Sequence, residues 1–338
     1  MARRILSRMK VAILGAGSWG TALGVLFANM HDVMLWEFNA EYAAKFERER
    51  RNRIFLPMAG FPENLHVTNN IEEAIASARI VLFAIPSHFL RGVVRKAAPY
   101  ISHDQLLVSV VKGIETDTLL RMSEVIESEL TSCRGVVALS GPTHAEEVAR
   151  GIPAAIVAAA KKARDARLVQ HYFMTPRFRI YSNSDLLGVE LAAALKNVIA
   201  IAAGIADGLK YGDNTKAALM TRGLAEIRRL GVKMGARQET FSGLSGMGDL
   251  VVTCTSRYSR NRGVGMQLGQ GRKLDDILRD MQQVAEGVVN TKSALLLGKK
   301  YHVELPIASA VGAVLFHGLR PAEMGDMLMT RSAKREFY

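Results

Sequence analysis

Lys196 and Asn197 interrupt a stretch, Val189 to Ala206, that is otherwise almost wholly apolar. A helix that is apolar all round is buried. Burying an unpaired ammonium is costly, so Lys196 either snorkels to solvent or has a purpose inside. Its helical neighbours at 192, 193, 200 and 203 are alanine, and 204 is glycine. That stripe of small side chains leaves room for a ligand or another backbone, and it equally suits ordinary helix packing. Lys112-Gly113-Ile114-Glu115 follows the apolar run 106–111 directly. A lysine there points its ammonium into a crevice at the strand's carboxyl end, or it is a solvated loop residue. The loop Ser140-Gly141-Pro142-Thr143-His144-Ala145 offers backbone amides and a hydroxyl. A glycine-rich loop, Ser242 to Asp249, precedes Leu250 to Cys254. Beyond it Arg257, Arg260 and Arg262 stand among Thr255, Ser256, Ser259 and Asn261. Guanidinium binds phosphate in bidentate fashion, so that run suits an anion, although a solvated basic loop has the same composition.

Gly15, Gly17 and Gly20 follow the apolar run Val11 to Leu14 at Gly-x-Gly-x-x-Gly spacing, and an apolar helix begins near Thr21. Gly15 permits the tight turn, Gly17 lets backbone approach a pyrophosphate, and Gly20 lets helix pack on strand. Free amides at the helix start would face the phosphates. A second strand, Val33 to Trp36, ends at Glu37. That acid falls roughly 20 residues on, where one bonds a ribose hydroxyl.

These groups need a scaffold. Strands are expected over 11–14, 33–36, 79–85, 106–111, 136–140, 154–159 and 178–181, alternating with helices that include 40–53 and, capped by Asn70, 71–77. Such alternation predicts an α/β, mostly parallel, doubly wound Rossmann-like sheet. From Leu186 the periodicity is helical throughout. The expected division is a dinucleotide-binding domain over 1–185 and an all-helical substrate domain over 186–338.

Hydrophobic residues at 49% and charged residues at 22% support a sizeable core. The net charge of +12 points to anionic partners. The basic residues are scattered and aromatics are only 7%, which favours small anionic molecules over nucleic acid. Cys133 and Cys254 are the only cysteines; they form neither a disulfide framework nor a metal cluster and fit a reducing cytoplasm. Met1 to Lys10 is basic without the apolar core of a signal peptide. No uninterrupted apolar run reaches about 18 residues, so no membrane span is expected.

Several segments together resemble the NAD(P)-dependent sn-glycerol-3-phosphate dehydrogenase family. They are Gly15-Ala-Gly-Ser-Trp-Gly-Thr-Ala-Leu, Ile85-Pro-Ser-His, Val111-Lys-Gly-Ile-Glu, Leu139-Ser-Gly-Pro-Thr, Gly188-Val-Glu-Leu, Leu195-Lys-Asn-Val, Gly246-Met-Gly-Asp-Leu, Thr253-Cys-Thr, Ser259-Arg-Asn-Arg and Val284-Ala-Glu-Gly. The resemblance implies hydride transfer between NAD(P)H and dihydroxyacetone phosphate, giving sn-glycerol 3-phosphate for phospholipid synthesis. It implies that Lys196 is the acid/base residue at the C2 oxygen, with Lys112 and Asp249 beside it, Lys112 serving as a second cation. It places Gly141, Thr143, Ser259, Arg260 and Asn261 on substrate. Ser18, Trp19, Lys112, Ala145, Arg260, Val284 and Glu286, with Gly15, Gly17, Gly20 and Glu37, fall on the cofactor. Several relatives have glycine where this chain has Glu37, and the carboxylate favours NAD over NADP. The expected partners are a small phosphate substrate and, as an assembly, a homodimer, in the cytoplasm and without a metal. A related two-domain hydroxy-acid dehydrogenase shares the glycines and a Lys-Asn pair; Asp249 and Ser259-Arg260-Asn261 argue against it.

Overall fold

The computed structural model describes residues 8–281, 283–333 and 335–336; the rest of the basic N-terminus and of the C-terminal tail lies outside the described residues. Short apolar runs bounded by turn residues become strands β1 (Lys10–Leu14), β2 (Asp32–Trp36), β3 (Leu65–Thr68), β4 (Ile80–Phe83), β5 (Leu106–Ser109), β6 (Val136–Ser140), β7 (Ala154–Ala160) and β8 (Phe178–Asn183). They form one sheet in the order β3-β2-β1-β4-β5-β6-β7-β8. Neighbours are parallel except β6 and β7. The register sets Leu14 beside both Trp36 and Phe83, so β1 is central to the first half. Alternate β1 residues enter different cores: Val11 and Ile13 pack with Phe27 and Phe46, Ala12 and Leu14 with Phe83 and Leu90. Burial on both faces explains why these strands read as continuous apolar runs rather than alternating ones.

Helices α1 (Ser18–Phe27), α2 (Ala40–Glu49), α3 (Ile71–Ile75), α4 (Leu90–Ala97), α5 (Met122–Ser128), α6 (Ala145–Ala149) and α7 (Ala163–Phe173) connect the strands. The helix expected over 40–53 stops at Glu49 because Arg50 turns left-handed at φ 49°. Its start is fixed by Asn39, whose side chain accepts the Tyr42 amide. β3 was absent from the expected strands; its four residues alternate buried and partly exposed, a weak signal at a sheet edge.

Helices α8 (Leu186–Gly208), α9 (Gly212–Lys233), α10 (Gln238–Phe241), α11 (Asp249–Thr255), α12 (Arg260–Gly269), α13 (Leu274–Asp280), α14 (Glu286–Tyr301), α15 (Pro306–Phe316) and α16 (Pro321–Met329) follow, and no strand occurs after β8 among the described residues. The chain divides into two compact units. The first runs to Glu115 and resumes from Leu120 to Glu190; the second is Thr116–Leu119 with everything from Leu191 onward. α8 has the length and hydropathy of a membrane-crossing helix, but 94% of its apolar window is buried inside the protein. Part of its small-residue stripe faces another backbone. A Cβ at Gly204 would lie 2.1 Å from the Arg262 carbonyl oxygen, and one at Gly265 would lie 2.1 Å from that of Ile201. α8 and α12 therefore cross at backbone contact through glycines on both helices.

Candidate active site

In the first unit, the β1–α1 turn has the shape its glycines suggest. Gly15 adopts φ +115°, and a Cβ there would lie 2.6 Å from the Ala84 carbonyl oxygen. A Cβ at Gly20 would meet the Gly15 carbonyl at 1.9 Å, while one at Gly17 would meet nothing within 4 Å. Gly17 caps α1 without a side chain. An open approach to a helix N-terminus that lacks a side-chain cap fits a dinucleotide pyrophosphate. Glu37, at the end of β2, is 4% exposed. Its carboxylate accepts the Asn39 amide at 3.0 Å, and its own amide donates to the Thr68 carbonyl. Burial pushes its pKa up, and the Asn39 and Phe38 amides restrain the rise. Arg53, the last arginine of the basic run 48–53, donates to Glu49.

The structure also gathers the loops after β5 and β6. The Lys112 ammonium donates to the Gly141 carbonyl at 3.3 Å, and the Thr143 hydroxyl donates to the same oxygen at 3.2 Å. Gly141 is pressed on β7, where a Cβ would stand 2.9 Å from the Ile156 Cα. Ala145 opens α6 and packs with Ala22, Leu56 and Trp19. Ser18 is buried at the start of α1. His88 follows β4, exposed, its ring tilted against that of Phe89 with centroids 4.0 Å apart.

In the second unit Lys196 is 4% exposed and does not reach solvent. Its Nζ lies 2.9 Å from Asp249 Oδ1 and donates to the Thr253 hydroxyl. Thr253 donates in turn to the Asp249 carbonyl at 2.5 Å, one helical turn back along α11. Asp249 is not in a loop, as its glycine-rich context suggests; it is the first residue of α11, behind a π-helical turn over Leu244–Gly248. A buried ammonium is thus charge-compensated and fixed from two sides. Cys254 neighbours this cluster, but burial pushes its thiol up to about 12, so it is no nucleophile.

Ser259 caps α12 by accepting the Arg262 amide, and Arg260 donates to the Val284 carbonyl at 2.9 Å. Asn261 accepts the Gly287 amide at 2.8 Å. These bonds join the start of α12 to the segment holding Val284 and Glu286. Gly287 also abuts Asn197, whose carbonyl oxygen would be 2.7 Å from an added Cβ. Arg262 is directed elsewhere: it donates to Asp207 at 2.6 Å, which Lys216 also contacts. Of the three arginines that read as phosphate ligands, Arg262 is thereby committed to an internal ion pair.

Two residues escaped sequence reading. Thr253 needed the knowledge that 249–255 is helical, which puts it one turn from Asp249. Asn52, within the arginine-rich run 48–53, is fully buried; it donates to the Ala16 carbonyl at 2.8 Å and to the Thr21 hydroxyl at 2.9 Å, bracing the glycine turn.

Comparisons with known proteins bear on the family and the fold. The family model for the NAD-dependent glycerol-3-phosphate dehydrogenase N-terminus matches residues 10–166, and that for the C-terminus matches residues 185–326. A Pelotomaculum thermopropionicum protein named glycerol-3-phosphate dehydrogenase [NAD(P)+] is 49% identical, over 97% of this chain and 95% of its own length. A Fusobacterium nucleatum protein of the same name is 47% identical, over 97% and 98%. The crystal structure of glycerol-3-phosphate dehydrogenase from Coxiella burnetii superposes with a TM-score of 0.92 at 36% identity, covering 96% of this chain and 99% of that one. With both halves matched and identity near one half along almost its full length, the chain belongs to the NAD-dependent glycerol-3-phosphate dehydrogenase family.

Proposed function

We propose that this protein interconverts dihydroxyacetone phosphate and sn-glycerol 3-phosphate with NAD(P)H or NAD(P)+, providing glycerol 3-phosphate for phospholipid synthesis in the cytoplasm. The observation that carries the reading is the buried Lys196–Asp249 pair with Thr253 on the ammonium, inside a chain of this family. When bound, the nicotinamide supplies or takes the hydride at C2. The Lys196 ammonium hydrogen-bonds the C2 oxygen and gives it a proton as the ketone becomes an alcohol; in reverse, the amine accepts that proton. Asp249 and Thr253 hold Nζ in one place, so no reorganisation is required during transfer. Ser259, Arg260 and Asn261, at the N-terminus of a ten-residue helix, bind the substrate phosphate. Lys112, Gly141 and Thr143 are further substrate ligands in this reading, with Lys112 also on the cofactor. Gly15, Gly17, Gly20, Ser18, Trp19, Glu37 and Ala145 hold the dinucleotide, with Arg260, Val284 and Glu286. A homodimer is the proposed assembly, and the two unbridged cysteines support a reducing compartment.

Steady-state rates on dihydroxyacetone phosphate, beside a panel of 2-keto acids with NADH and NADPH, test this reading. Turnover confined to a keto acid would transfer the chain's activity to the hydroxy-acid dehydrogenases.

A further inference from the structure

One buried charge cluster in the first unit belongs to none of these roles. Glu190, in the Gly188-Val-Glu-Leu segment of α8, is 5% exposed. One carboxylate oxygen accepts the Ser123 amide at 2.8 Å; the other accepts the Ser123 hydroxyl at 2.7 Å and the Arg121 guanidinium. Arg121 also holds Glu124 at 2.7 Å, and Ser123 is fully buried at the start of α5.

The location of Arg121 gives the cluster its meaning. Arg121 pairs with Ile114 across a short antiparallel bridge, and the Glu115 amide donates to the Leu120 carbonyl. Ile114 stands two residues beyond Lys112, and Glu190 six residues before Lys196. Six residues of helix span about 9 Å. The segment carrying one lysine and the helix carrying the other are therefore both tied to one ion pair. Burying such a pair is a poor route to stability, because a well-packed apolar replacement often does as well; fixing register is its best-attested use.

We propose that Glu190 and Arg121 are positioning residues that fix the segment following Lys112 against the first turns of α8, the helix whose later turns carry Lys196. The proposal rests on the dehydrogenase reading above. Glu190→Asp keeps the charge and withdraws the carboxylate by one methylene. Its kcat for dihydroxyacetone phosphate should fall roughly ten- to a hundredfold, as for a slightly misplaced reacting group. The Kd for NADH, measured by fluorescence without substrate, should rise by a smaller factor than kcat falls, because the turn that offers its amides to the pyrophosphate is braced by Asn52 and shares none of the cluster's bonds. Amide exchange should quicken over 111–124 and 186–197. The double variant Glu190→Gln/Arg121→Met removes both charges and carries the test should the aspartate variant not fold. It should regain thermal stability without regaining kcat. Wild-type kcat in a folded Glu190→Asp or double variant overturns the positioning role while leaving the dehydrogenase reading intact. A wild-type protein inactive on dihydroxyacetone phosphate overturns both.

Discussion

At the residue scale the chemistry concentrates on Lys196. An ammonium that is 4% exposed would be expelled or neutralised if it were alone, and Asp249 at 2.9 Å compensates it. Replacing Lys196 with alanine strands the Asp249 carboxylate, so stability should fall as well as activity. Turnover should drop at least about 10² to 10⁴-fold, the usual worth of a general acid or base. Circular dichroism at the assay temperature separates the two effects, and a folded variant keeping a tenth of wild-type kcat would make Lys196 structural. Glu37 carries the second residue-scale prediction. It is buried at 4% exposure, and Arg53 is engaged by Glu49. A carboxylate so placed accepts bonds from ribose hydroxyls and repels a 2′-phosphate. Like charges at ~4 Å cost about 4 kcal/mol at an effective dielectric of 20, less with solvent and salt. The ratio of kcat/KM for NADH over NADPH should exceed one in the wild type and shrink in Glu37→Ser. A wild-type preference for NADPH would remove the carboxylate argument. Lys196 and Glu37 were legible because each breaks or ends an apolar run. Thr253 and Asn52 were not, since an ordinary polar residue acquires its role only from what the fold sets beside it.

At the element scale the first unit was easy to read, and the crossings of the second were not. Strands buried on both faces announce themselves as apolar runs, and the glycine turn announces the helix after β1. The stripe at 192, 193, 200, 203 and 204 left two outcomes open, ligand or backbone. Backbone is the outcome at Gly204, and the partner glycine, Gly265, lies too far along the chain for periodicity to connect them. Gly208 and Gly269 continue the seam: an added Cβ would stand 2.3 Å from the Met266 carbonyl and 2.5 Å from that of Ile205. Gly204→Ala must force the helices apart, because rigid carbonyl leaves no side chain to yield. Overpacking of this kind typically costs about 1–3 kcal/mol, read as a lower urea midpoint at unchanged slope. Because α12 begins with Ser259, Arg260 and Asn261, the same displacement should raise KM for the phosphate substrate more than KM for the nicotinamide. Equal midpoints for variant and wild type would show that the seam tolerates a methyl group.

At the scale of the whole molecule, buried titratable groups make folding depend on pH. Glu226, in α9, is 4% exposed and accepts the Ile307 amide at 2.7 Å, closing the N-terminus of α15. Burial raises its pKa from 4.5 to about 7, against the pull of the Ile307 and Ala308 amides and of Arg229 and Arg331. A group whose folded pKa is raised contributes stability that is complete below its unfolded pKa and is lost as pH rises through the folded one. Glu226 should therefore lower stability between about pH 4.5 and 7, by roughly 3 kcal/mol in all, since a tenfold change in proton affinity is worth about 1.4 kcal/mol. His31 works in the opposite direction. It is fully buried, its Nε2 lies 2.9 Å from the Tyr172 carbonyl, and burial lowers its pKa below 6.5. A depressed histidine disfavours the protonated form, so its share of stability is lost as pH falls below 6.5. The wild-type profile combines the two, and a variant separates them. Glu226→Gln keeps a carbonyl acceptor for the α15 amides and cannot ionise. Its stability relative to wild type, from urea unfolding, should improve from pH 5 to pH 8 by up to about 3 kcal/mol. A difference that stays constant across that range would mean that the N-terminal amides of α15 hold the carboxylate ionised throughout, outweighing its burial.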